Sequence, residues 1–170
     1  MGLELVNTVT ISNSATLALT GIDSNDVYMV TLNNLYMNTS GARPRLRFTK
    51  ASDNSADDSS NYDYANPDMY AGQAFYYNKG ANTSYYNGFS IGTGDSQSLR
   101  GVYFLYNFYD SNEFSYLTYE ECTTNDAGEY ATRPGGLVLT VAQSCNGMQW
   151  HSNNNNIASG TATLYRLKDW

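Results

Sequence analysis

Few residues in this chain could do chemistry, and their spacing decides what kind. His151 is the only histidine. A Ser-His-Asp relay would need it beside an activated serine, yet no Gly-x-Ser-x-Gly turn is present. Its neighbours Trp150 and Ser152 place it at a strand end or in a loop. Zinc needs more nitrogen and sulfur than one histidine and two distant cysteines, Cys122 and Cys145, supply. Glu120 and Glu121 are adjacent carboxylates. Consecutive side chains on a strand point to opposite faces, so these two cannot share a glycosidase site. Asp53, Asp57, Asp58, Asp63 and Asp68 crowd one stretch. Clustered oxygens are what Ca²⁺ takes, but no EF-hand spacing is present, and the stretch reads as a solvated acidic loop. No catalytic residue, no metal site and no cofactor is expected.

The aromatics point elsewhere. The chain has 16 tyrosines against 6 phenylalanines and 2 tryptophans. A tyrosine ring is apolar with a wet tip, which suits half-exposed sheet faces and interfaces. Tyr62, Tyr64, Tyr70, Tyr85 and Tyr86 fall in or beside long polar segments. There they would either meet a partner or pack the loops down on the body of the protein.

The elements that must position these residues are strands. Leu3, Leu5, Val9 and Ile11 alternate with Glu4, Thr8, Thr10 and Ser12, so one apolar face is expected from residue 3 onward. The alternation recurs at Leu46-Arg47-Phe48-Thr49, at Leu137-Val138-Leu139-Thr140-Val141 and through 161–167. Strands are predicted at 3–12, 15–20, 27–36, 45–50, 99–109, 114–123, 136–143 and 160–167. Asp110 to Glu113 closes a hairpin, and Asn153 to Asn156 forms a loop. Residues 51–68 and 80–86 read as irregular, and 69–78 would permit a short helix. This pattern is that of an all-β antiparallel sandwich or barrel with one packed face per sheet. The segment 99–109 is apolar on both faces and calls for cover on both, which predicts self-association, most simply as a trimer.

Composition bounds the rest. At 170 residues the chain is expected to be one domain, 1–170. The charged fraction is 15%, below the roughly 25% of ordinary globular proteins. A net charge of −7 argues against nucleic acid and against an anionic membrane surface. No run of about 18 apolar residues could cross a membrane as a helix. Met-Gly-Leu-Glu-Leu-Val lacks a basic start and an apolar core, so no secretion signal is expected. Without one, Cys122 and Cys145 are expected as free thiols rather than a disulfide.

The ends of the chain carry a resemblance. Met-Gly-Leu-Glu-Leu-Val leads into a threonine-rich strand. Gly21-Ile-Asp-Ser-Asn-Asp-Val-Tyr-Met-Val-Thr-Leu-Asn-Asn-Leu follows, and Ser159-Gly-Thr-Ala-Thr-Leu-Tyr-Arg-Leu closes the chain. Together these resemble a family of small all-β virion proteins of tailed bacteriophages of aquatic bacteria, over about the first 40 and the last 12 residues. The resemblance implies a jelly-roll-like sandwich on the virion surface, made in the host cytoplasm, and supplies no catalytic residues. The expectation is a non-enzymatic structural protein, a head decoration or cement protein on the major capsid protein, because no shaft or attachment domain of a fibre is visible. The alternative is a receptor- or glycan-binding module of a tail fibre or appendage. Leu3 and Leu5, with the five tyrosines above, are the expected partner-binding residues, whether the partner is another copy, a virion protein or a host glycan.

Overall fold

The structure, a computed structural model, describes residues 2–72, 75–93 and 97–168. Its strands are β1 (Gly2–Ser14), β2 (Thr16–Thr20), β3 (Tyr28–Met37), β4 (Pro44–Lys50), β5 (Tyr62–Tyr70), β6 (Tyr76–Thr83), β7 (Tyr86–Asn87), β8 (Leu99–Tyr106), β9 (Ser115–Thr124), β10 (Tyr130–Leu139), β11 (Cys145–Ser152) and β12 (Ile157–Lys168). No helix occurs among the described residues.

Two antiparallel sheets face each other, ordered β1-β12-β3-β8-β9-β10-β5-β6 and β2-β11-β4-β7. The order reveals how the chain is wound. β1 pairs with β12, β2 with β11, β3 with β8, and β4 with β7. These pairs form one long antiparallel ribbon whose successive pairs fall in opposite sheets, which is a jelly roll. Two hairpins are inserted into it, β5–β6 and β9–β10. Both join the large sheet beyond β8 and widen it to eight strands. Of the sandwich or barrel expected from the alternation, the all-β sandwich is observed, wound in the jelly-roll-like way that the resemblance implies.

Period-2 patterning sets the core. Leu17 and Leu19 of β2, Val30 and Leu32 of β3, Leu46 and Phe48 of β4, and Met148 and Trp150 of β11 are all buried between the sheets. Burying each such side chain contributes about 1.5–3 kcal/mol.

Several boundaries differ from expectation. β11 was not among the predicted strands, although His151 does lie at a strand end, that of β11. Its alternation is diluted by polar outward residues and by Gly147. A Cβ on Gly147 would lie 2.0 Å from the Leu19 carbonyl oxygen, so the close approach of β2 excludes any side chain there. Residues 62–68 are strand rather than irregular. Likewise 80–83 and 86–87 are strand rather than loop. Across 69–78 the described ends belong to β5 and β6, so the short helix is not formed there; residues 73 and 74 lie outside the described residues.

β1 holds a further correction. Leu3 and Leu5 pair with Leu167 and Tyr165, Asn7 pairs with Leu164, and Val6 is left over as a bulge. The extra residue exchanges the faces. Val9 and Ile11 pack against the core, whereas Leu3 and Leu5 point outward and are 57% and 61% exposed.

Candidate functional site

The residues with the strongest chemistry lie inside. In β9 the odd positions point inward, so Glu121 is buried while Glu120 faces solvent. That is the opposition their adjacency required. Tyr86 donates to Glu121 Oε2 at 2.9 Å and Tyr103 donates to Oε1 at 2.8 Å. Arg133 on β10 is 1% exposed. It donates to the Tyr86 oxygen at 3.0 Å, the Asn87 carbonyl at 3.1 Å and Asp68 Oδ2 at 2.8 Å. Its guanidinium stacks 3.7 Å from the Phe89 ring centroid. Asn66 donates to Asp68 and accepts from the Tyr119 hydroxyl at 3.0 Å.

Burial pushes the Glu121 carboxyl above its ordinary range, opposed by Arg133 and by the tyrosine hydroxyls. Burial also holds the Tyr86 and Tyr103 hydroxyls protonated well above their ordinary value. Charges this deep persist only when paired and hydrogen-bonded. With Glu121 2% exposed, the cluster presents no carboxylate to solvent and fits a structural role.

The outer face of the eight-stranded sheet is the first candidate binding surface. Register lines up Leu5, Tyr165, Met29, Phe104 and Thr118 as neighbours across five strands. The adjoining row brings Leu3 beside Leu167, and Tyr106 beside Tyr116 and Val138. Tyr116 is 43% exposed, and Val102 and Tyr106 are exposed with it. β8 is thus apolar on both faces, as its sequence indicates, and its outer face lies open. Near Gly136 the surface dips into a groove of about 430 Å³ flanked by Tyr116, Val138 and Ala65. The band begins at β1, a 13-residue edge strand whose far side pairs with no strand among the described residues.

The outer face of the four-stranded sheet differs entirely. Arg43, Arg45 and Arg47 alternate with the buried Ala42, Pro44 and Leu46, and His151 and Gln149 pair with Arg45 and Arg47 from β11. Burial, with Arg47 and Arg45 close by, lowers the His151 pKa to about 4.

The tyrosines expected in loops are mostly interior. Tyr62 is fully buried; it accepts from the Phe48 amide at 2.9 Å and donates to the Asp57 carbonyl at 3.1 Å. Tyr86 is buried in the cluster described above. Tyr64 meets Tyr86 edge-on at 5.3 Å, and Tyr70 meets Phe89 at 6.1 Å. Tyr62, Tyr64 and Tyr70 face inward because 62–70 is a strand whose even positions point to the interior, and Tyr86 meets them from β7. A partner therefore cannot reach Tyr62 or Tyr86. Tyr85 stays partly exposed beneath the Arg45 guanidinium, and Leu3 and Leu5 lie on the open band.

The aspartates are not gathered. Asp53 caps Ser55, Asp57 accepts from Ser59 and Gln143, Asp63 accepts from the Asn82 amide, and Asp68 pairs with Arg133. Among the described residues no group of three or more His, Cys, Asp or Glu is placed to hold one ion. Cys122 and Cys145 are free thiols, as expected. The arginine face was missed at the sequence level, although Arg43-Pro-Arg-Leu-Arg-Phe shows its alternation plainly.

No family model matches the chain, and no curated protein matches it. Among solved structures, a fructofuranosidase from Schwanniomyces occidentalis complexed with fructosylnystose aligns at 8% identity and a TM-score of 0.21. The alignment covers 97% of this chain but 34% of that one. The CBM2 module of an evolved Dit from Lactobacillus casei BL23 phage J-1 aligns at 12% identity and a TM-score of 0.24, covering 94% of this chain and 76% of that one.

Proposed function

We propose that this chain is a non-enzymatic structural protein of a phage particle. It is a head decoration or cement protein that self-associates as a trimer and lies on the major capsid protein. The observation that carries the reading is the open apolar band on the outer face of the large sheet, continuous with the unpaired edge of β1. An apolar face of this breadth favours cover by another protein. An unpaired edge offers backbone N–H and C=O groups to a second chain. Closed rotational symmetry satisfies both without generating open fibres. A protein acting this way works by binding energy alone, bridging neighbouring subunits of a shell.

Quantitative mass spectrometry of purified particles tests the reading through copy number. Hundreds of copies support a head decoration; about a dozen would move the protein to a tail appendage. Sedimentation tests the self-association. Leu3→Glu with Leu5→Glu is expected to shift the isolated protein to monomer while leaving its melting temperature nearly unchanged, because both side chains are exposed. Retention of the oligomer by this variant would rule out the band as the contact.

A further inference from the structure

We propose that the outer face of the four-stranded sheet binds an anionic, carboxylated glycan through Arg43, Arg45 and Arg47. This site is separate from the apolar band, and it stands whether or not that band docks.

The three arginines occupy alternate positions, so their side chains leave the same face at intervals of about 6.6 Å. None of them forms an ion pair among the described residues; Glu4, Asp23, Asp26, Asp53 and Asp68 pair with Lys50, Arg133, Arg166 and Lys168 instead. A cationic island therefore stands uncompensated on a protein of net charge −7.

The island is also held in place. Arg43 Nη1 donates to the Gly88 carbonyl at 3.1 Å, and Arg47 Nε donates to the Ser84 carbonyl at 2.9 Å. The Arg45 guanidinium lies 4.0 Å over the Tyr85 ring, which in turn meets His151 edge-on. Each contact fixes the direction of a guanidinium and uses a fraction of its five donors. Side chains anchored beforehand lose less freedom when a ligand arrives. The unused donors form planar forks, which match the two oxygens of a carboxylate.

The face is flanked by Gln149 and Thr16 rather than by apolar side chains, which suits the hydroxyls that accompany a carboxylate on a sugar. Nucleic acid is disfavoured. A duplex needs cations along many phosphates, and the chain as a whole carries a net charge of −7.

The test uses polygalacturonate as the probe, with dextran and single-stranded DNA of equal charge as comparators, followed by calorimetry at low and at physiological salt. The intact protein is expected to bind polygalacturonate, more weakly as salt rises, and to leave dextran unbound. Arg45→Gln with Arg47→Gln should weaken binding at least tenfold. Arg100→Gln, on the other sheet, should leave it unchanged. Melting curves check that each variant is folded. Should the double variant fail to fold, Ala18→Glu serves instead: it places a carboxylate on the same face, opposite Gln149, and removes no arginine contact. It too should abolish binding. No binding to polygalacturonate, binding indifferent to these substitutions, or equal affinity for the DNA would each overturn the proposal.

Discussion

The interior of the sandwich changes character along the large sheet. Over β12, β3 and β8 the small sheet lies opposite, and the packing is Leu17, Leu19, Val30, Leu32, Met148 and Trp150. Over β9, β10 and β5 the small sheet runs out at β7, and beside Leu117, Leu137 and Leu139 the interior carries tyrosines with Asp68, Glu121 and Arg133. Two facing sheets about 10 Å apart can be filled by interdigitated aliphatics. The added hairpins face the end of β4, where Phe48 meets Tyr62, then β7 and the segment carrying Phe89 and Ile91. Long side chains with polar tips span that space and find partners across it. The aliphatic end is held mainly by contact, with Tyr103 reaching across to Glu121. The polar end is held by directional bonds among titratable groups, so only it should respond strongly to charge.

The largest effect should come from Arg133→Met. It leaves Asp68 buried without its cation, at a cost of about 3–5 kcal/mol in urea unfolding. A cost below about 1 kcal/mol would mean the polar end is dispensable, and the contrast between the two ends would fail. Leu19→Ala at the aliphatic end should cost about 2–5 kcal/mol, and this cost should be the same at pH 5 and pH 8. Stability curves of this variant that diverge from wild type with pH would erase the distinction.

Glu121→Gln should have a smaller effect with a diagnostic sign. The folded carboxyl has a raised pKa, so the folded state holds its proton more tightly than the unfolded state. The stability this contributes is fully present below the ordinary value of 4.5 and is lost as pH rises through the folded value. The Gln variant should lose that negative slope in a series of thermal melts, and at pH 7 it should be at least as stable as wild type. His151→Gln should produce the smallest change, with the opposite sign. Its folded pKa is about 4, down from 6.5, so stability falls as pH drops through that window. Substitution should flatten the loss between pH 6.5 and pH 4. If both variants shift the profile in the same direction, one of these two environments is misjudged.

Fold class was legible because alternation survives in nearly every strand. β11 was not, because Gly147 and polar outward residues hide its core positions, Cys145, Met148 and Trp150. The inward direction of Tyr62, Tyr64 and Tyr70 was hidden differently. Their strand puts three tyrosines, Asn66 and Asp68 on its inward face, and that composition ordinarily marks a loop. Only Arg133, about 65 residues away and meeting Asp68 through tertiary pairing, makes it a core. The outward direction of Leu3 and Leu5 could not be read at all, since hydrophobic spacing carries no mark of a bulge. The arginine face could have been read, as its alternation is as regular as that of any strand identified.

The bulge at Val6 behaves like an inserted letter in a message read two at a time. Residues 3 and 5 and residues 9 and 11 share a parity in the chain yet lie on opposite faces, because one residue between them is skipped by the ladder. Removing Val6 would close the ladder without moving any other side chain to a new face; what is lost is its packing against the core and Gly21. Removing Thr8 with the bulge kept in place would instead shift every residue before it by one place, so that Leu5 takes the place of Val6 and Leu3 that of Glu4, each on the opposite face from before. Two single-residue deletions, two positions apart, should therefore have unlike consequences: one keeps the surface of the N-terminal strand, and the other turns it inside out.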